Sequence, residues 1–169
     1  MLPAFPSWVS RLCVEAGLDM HVHRPHPLVD VHTHMYLPRY VALLRQRRQI
    51  PRIVMRGKGD RLIILPDEEA DQSTSAGRPI GSEFYEVSRK LAFMDKHGIA
   101  VSVVSSANPW IDFVEPAEAP ALAAELNQDL EAICAASSER LLGFGVLPLQ
   151  TPEACAAESA LTCAIPAAT

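Results

Sequence analysis

The sequence predicts an α/β fold whose strands pair in parallel, and three observations predict it. Apolar segments of two kinds alternate along the chain, short β-branched runs and longer runs with helical spacing. A strand, a helix and a second strand follow one another in that order, which implies parallel pairing. The pattern then repeats with a further helix and strand, the succession that builds a parallel sheet or barrel. With 169 residues, 49% of them hydrophobic, the chain reads as one globular domain able to bury a core. It is too short for a complete eight-stranded (β/α) barrel, which takes about 250 residues.

Taken in order, residues 1–27 carry Pro3, Pro6, Pro25 and Pro27 and show little periodicity apart from a possible short helix over 10–17, so they read as an extension. At Leu28 the character changes: Val29 and Val31 alternate with Asp30, His32 and His34, a period of two that predicts a strand with both histidines on one face. Residues 40–48 place Tyr40, Val41, Leu43 and Leu44 on one side of a short amphipathic helix, ended by Pro51. Two apolar pieces, 53–55 and 62–65, flank Gly57-Lys58-Gly59-Asp60 and read as a hairpin followed by a polar loop. Ser82 is a candidate cap for a helix over 83–97, with Phe84, Val87, Leu91 and Met94 on one stripe and Gly98 as its left-handed stop. Residues 99–105 are a buried strand. Leu122, Ala123, Leu126, Leu130, Ile133 and Cys134 mark a helix over 119–137. Residues 141–149 read as another apolar strand, and Thr151-Pro152 opens a last helix through about Ser159.

Composition excludes several functions. Fifteen basic residues against twenty acidic ones give a net charge of −5, with no basic patch to meet a phosphate backbone, so no nucleic-acid partner is expected. No apolar run approaches the ~20 residues needed to cross a bilayer. Arg11 and Glu15 interrupt the only candidate for a signal peptide, and the expected location is cytoplasmic. Cys13, Cys134, Cys155 and Cys163 form no CxxC pair and read as reduced thiols.

The chemistry-bearing feature is His32-Thr33-His34 at the end of the first strand. Two neutral imidazoles on one rigid face suit zinc or another borderline divalent ion, and the C-terminal ends of strands are where α/β folds build sites. For three residues alone, two neighbouring surface or hydrogen-bonded histidines are the commoner case. His21-Val22-His23 repeats the motif with no apolar strand before it and reads as chance.

Context separates the two copies. The run from Leu28 to Pro38, LVDVHTHMYLP, resembles the first strand of the amidohydrolase superfamily, in the metal-dependent decarboxylase branch that includes aminocarboxymuconate semialdehyde decarboxylase. Gly77-Arg78-Pro79, Met94-Asp95-Lys96-His97-Gly98-Ile99, Ser105-Ser106-Ala107-Asn108-Pro109-Trp110 and the run RLLGFGVLP from Arg140 to Pro148 resemble later landmarks of that branch in the same order. Its wording is most similar to the fungal uracil-5-carboxylate (isoorotate) decarboxylases.

The resemblance implies the N-terminal portion of a (β/α)8 TIM barrel, incomplete here, over residues 28–159, with about three barrel strands and a hairpin excursion. It implies a zinc or other divalent ion, for which His32 and His34 match the first two ligands. A third histidine and an aspartate have no counterpart, since His97 falls where the family has a structural turn. Asn108 matches an active-site asparagine able to bind a substrate oxygen, although Asn-Pro also makes a turn. Arg78 is a candidate carboxylate clamp, with a plain surface arginine as the ordinary alternative. Trp110, with Phe113, is a candidate wall for a flat ring, and core packing is the ordinary alternative for both. The implied activity is that of a carboxy-lyase acting without oxidant on a small planar unsaturated or aromatic carboxylate, such as uracil-5-carboxylate or aminocarboxymuconate semialdehyde. In the complete enzyme a homo-oligomer is possible.

Residues 160–169 depart from the family's continuation, and with the long prelude before Leu28 they read as a truncated or mis-spliced frame. The expectation for this chain is therefore an incomplete ligand set and no turnover. One alternative is a non-catalytic piece acting through association, because three barrel strands leave open edges. Another is a hydrolase of the same superfamily, which the Ala107-Asn108-Pro109-Trp110 block disfavours.

Overall fold

The computed structural model describes residues 27–162; the helix considered over 10–17, the second HxH at His21 and His23, and residues 163–169 lie outside the described residues. Strand β1 (Leu28–Met35) leads into helix α1 (Pro38–Gln46). The excursion follows as β2 (Arg52–Arg56), β3 (Gly59–Ile63), the short helix α2 (Pro66–Ala70) and the two-residue β4 (Arg78–Pro79). A 3-10 turn (Ser82–Phe84) precedes α3 (Val87–His97), β5 (Ile99–Ser106), α4 (Ala119–Ala136), β6 (Leu141–Phe144) and α5 (Pro152–Thr162). β1, β5 and β6 form a parallel sheet in the order β1-β5-β6, while β2, β3 and β4 form an antiparallel one. The mixed α/β class and the parallel pairing are those the sequence predicts.

Helix α1 starts two residues earlier than its periodicity suggests, because Pro38 occupies the first turn, where no N–H is needed. Tyr40, Val41 and Leu44 are its buried side. It ends at Gln46, where Arg47 turns extended, lays its guanidinium 4.0 Å from the Phe113 ring centroid and donates to the carbonyls of Pro51 and Ile50.

In the hairpin the turn falls on Gly57-Lys58, with Gly57 at φ 60, and Gly59 and Asp60 join the strand instead of the turn. The strand expected over 62–65 stops at Ile63. The N–H groups of Ile64 and Leu65 go to one oxygen of the Glu68 carboxylate, at 2.8 and 2.9 Å, in place of a neighbouring strand. Those two bonds hold the Glu68 carboxyl below its ordinary pKa and start α2 within the stretch read as loop.

The helix expected over 83–97 is divided. Phe84 gives its carbonyl to the Tyr36 N–H at 2.8 Å, so the 3-10 turn is docked on the end of β1, and α3 begins at Val87. Phe84 lies exposed, off the stripe it was expected to share, while Met94 is fully buried. Gly98 ends α3 at φ 64 as a left-handed stop.

Helix α4 packs on the sheet through Ala123, Leu126 and Leu130, and a Cβ at Gly143 would stand 2.7 Å from Leu130, so glycine there lets helix and strand approach. The strand expected over 141–149 covers only its first four residues. Beyond Phe144 the Asn127 side chain stands in for a partner strand: its oxygen accepts from the Val146 N–H at 2.6 Å and its amide donates to the Val146 carbonyl at 2.9 Å. Thr151 Oγ1 accepts from the Ala154 N–H at the start of α5, as its sequence position predicts. Cys134 and Cys155 are free thiols.

The core lies between the parallel sheet and its helices, around Leu37, Tyr40, Leu44, Met94, Leu126 and Leu141. Among the described residues no helix is long and apolar enough to cross a membrane.

Candidate metal centre

His32 and His34 do share one face of β1, but not by simple alternation. The pairing with β5 shifts register between Asp30 and Thr33, a bulge that places Val29, Val31, His32 and His34 together on the open face and Asp30, Thr33 and Met35 toward the helices. The sequence reading, which set Val29 and Val31 opposite the histidines, is corrected on this point. Val29 is 47% and Val31 72% exposed. The imidazole centroids lie 4.6 Å apart at 73°, close enough to converge on one ion.

Behind the pair is a cluster of polar groups. Lys90 Nζ on α3 donates to Thr33 Oγ1 at 2.8 Å and stands 3.7 Å from the Asp30 carboxylate, while the Ser102 hydroxyl donates to Asp30 at 3.4 Å. The Lys90 side chain is 11% exposed, and burial lowers its pKa against the upward pull of Asp30. Lysine thus bridges both sides of the bulge. In front, Ser105 of β5 is the register partner of His34 and brings its hydroxyl 2.9 Å from His34 Nδ1.

Of the remaining predicted residues, Asn108 and Trp110 follow β5 at the same C-terminal end of the sheet, while Arg78 lies on β4 of the other sheet. The Asn108 carbonyl accepts from the Tyr36 hydroxyl at 2.8 Å, which ties the loop after β5 to the end of β1 and leaves the Asn108 side chain exposed. Trp110 is 52% exposed at φ 51, its carbonyl accepting from the buried Tyr40 hydroxyl. Arg78 is exposed on β4 with Glu68 3.9 Å away. Its charge pulls down the pKa of the Tyr36 hydroxyl while burial, the larger influence, raises it. Phe113 is not a pocket wall, because it packs against Tyr40 and Arg47. His97 packs on Phe93 at the end of α3.

Among the described residues no third His, Cys, Asp or Glu joins the histidine pair. The two imidazoles fit the first half of a tetrahedral shell and no more. A cleft of about 440 Å³ between Lys58, Arg61, Thr74 and Gly81 belongs to the excursion and includes none of the predicted site residues. Ser105, Lys90 and Tyr36 were not identified from sequence, where nothing marks a serine 71 positions from its histidine as a neighbour.

No family model matches the chain. Among solved structures it is similar to IDCase (isoorotate decarboxylase) from Metarhizium anisopliae in its apo form, with a TM-score of 0.77 and 37% identity over 87% of this chain and 42% of that one. It is also similar to a protein described as amidohydrolase II, with a TM-score of 0.57 and 22% identity over 80% of this chain and 36% of that one, a likeness of fold alone. The chain therefore spans about two-fifths of the length of the structures it matches.

Proposed function

We propose that this chain, which matches the decarboxylase branch of the amidohydrolase superfamily in fold and sequence, carries the first part of the metal seat and substrate wall of a metal-dependent carboxy-lyase. The observation that carries the reading is the paired display of His32 and His34 at the strand ends of a fold 37% identical to IDCase. The reaction is non-oxidative loss of CO2 from a small planar unsaturated or aromatic carboxylate, uracil-5-carboxylate being the first to test. Residues 28–159 are the partial barrel in this reading, and 1–27 and 160–169 are flanking segments.

A divalent cation, zinc in the first instance, would supply positive charge for a substrate carboxylate and its neighbouring oxygen. His32 and His34 would hold it. The Asn108 amide, exposed at the same end of the sheet, can donate to or accept from a substrate oxygen; the Arg78 guanidinium matches carboxylate geometry; and the Trp110 ring offers a flat apolar face. Among the described residues no third carboxylate or imidazole completes a metal group with the histidines, and the Asp30 carboxylate, which accepts from the His32 backbone N–H at 3.4 Å, is engaged behind the sheet by Lys90 and Ser102.

The expected result is weak uptake of about one Zn2+ or Co2+ per chain, abolished in His32→Ala and in His34→Ala, with no CO2 released from uracil-5-carboxylate. Absence of metal uptake by the unaltered chain at millimolar Co2+ overturns the metal reading. A second reading, action through association, is favoured by Leu142 and Phe144, 53% and 56% exposed on β6 of the same sheet. Sizing that shows a monomer at high protein concentration overturns it.

A further inference from the structure

The two histidines differ in how they are held. The ring nitrogens of His32 make no hydrogen bond to the described residues, whereas Nδ1 of His34 lies 2.9 Å from the Ser105 hydroxyl oxygen. That same oxygen lies 3.4 Å from the Thr33 carbonyl oxygen. A carbonyl only accepts, and a serine hydroxyl has one proton to give. With that proton directed to Thr33, the hydroxyl presents a lone pair to His34, and the imidazole must be the donor. The ring proton then sits on Nδ1, and Nε2 keeps its lone pair. The opposite arrangement, serine donating to Nδ1, puts the proton on Nε2 and closes that nitrogen to a cation.

We propose that Ser105 is a positioning residue that fixes His34 in the Nδ1–H tautomer and so presents Nε2 to a cation on the open face of the sheet. The inference rests on the metal reading above and names the device that makes one of its two ligands ready. A free neutral imidazole prefers its proton on Nε2, so the uncapped ring would have to change tautomer before binding metal through that nitrogen. Ligating histidines commonly give their other ring N–H to an acceptor that fixes tautomer and orientation, and losing that acceptor costs about 10- to 100-fold in metal affinity. Here the acceptor is set by the parallel register, which places His34 and Ser105 opposite each other. The hydroxyl's further bond to Thr33 directs its own proton away.

The test uses the metal-free chain labelled with 15N in histidine, at about pH 8, followed by Co2+ titration. In the unaltered chain, long-range 1H–15N correlations are expected to show His34 as Nδ1–H. Ser105→Ala is expected to shift it toward Nε2–H and to weaken Co2+ binding about tenfold. Ser105→Thr should retain both, and His32 should give the same pattern throughout. An unchanged amide spectrum in Ser105→Ala establishes that the fold survives; if it does not survive, the unaltered chain and Ser105→Thr still report the tautomer. His34 found as Nε2–H in the unaltered chain overturns the proposal, as does equal Co2+ affinity in a folded Ser105→Ala. The expected tautomer without Co2+ uptake overturns the metal reading and the role toward a cation, and leaves only the serine's hold on the ring.

Discussion

The two faces of the parallel sheet are built from the same three strands and have opposite fates. Toward the helices, Met35, Ser102, Val104 and Leu141 are buried, and their neighbours are the packed sides of α3 and α4. On the other face Val29, Val31, Leu142 and Phe144 stand exposed beside His32 and His34. Stability is therefore concentrated on one side and chemistry on the other. The bulge at Val31-His32 belongs to both, because the groups that hold it lie behind the sheet and the imidazoles it presents lie in front.

The sharpest way to break this comparison is to empty the packed face. Leu141 is 1% exposed, so Leu141→Ala removes a fully buried side chain and is expected to cost about 3 kcal/mol in urea unfolding. A loss below about 1 kcal/mol would mean that the helix face is not where the fold is secured.

A smaller effect is expected from the polar cluster that supports the bulge, and it is asymmetric. Asp30→Ala leaves the Lys90 ammonium, 11% exposed, with the Thr33 hydroxyl and the Phe93 ring 5.9 Å away, at a cost of about 2 kcal/mol. Lys90→Met leaves a carboxylate that is 28% exposed and can take up water, so a loss below about 1 kcal/mol is expected. The pH dependence has a definite sign. Burial lowers the pKa of Lys90 in the folded chain from 10.5, so the unfolded chain binds more protons just below that value and stability rises with pH there. Tyr36 and Tyr40, raised above 10.0 by burial, act oppositely at higher pH, where stability falls. The rise below about pH 10 should disappear in Lys90→Met. Its persistence would assign the rise to another group.

Much of the packed face was legible in the sequence, and less of the open one. Periodicity located α4, the β-branched run located β5, and Gly98 marked the end of α3, since each of these follows from local stereochemistry. The bulge escaped, because a period of two carries no sign that it will slip between Asp30 and Thr33. The run over 141–149 was read as one strand because apolar residues do not reveal whether a neighbouring strand exists; after Phe144 the Asn127 side chain satisfies Val146 instead. The five-residue α2 is too short to show a period. The His32–His34 pair was visible as a motif, while Ser105 became its neighbour only through the pairing of distant strands.

The weakest perturbation sharpens the comparison most. Val31 is 72% exposed and Leu142 53%, so neither side chain leaves a cavity when shortened or made polar. Val31→Thr and Leu142→Thr are each expected to change unfolding free energy by no more than about 0.5 kcal/mol, the range of a surface substitution. At position 31 threonine keeps the β-branched shape of valine, which isolates the loss of apolar contact from any change in backbone preference, whereas at position 142 it replaces a γ-branched side chain with a β-branched one that suits a strand. The double variant should also elute later, as smaller species, wherever the open face draws copies of the chain together. A loss above about 1 kcal/mol from either single variant at low protein concentration would require that side chain to be covered within the monomer. The open face would then be part of the core.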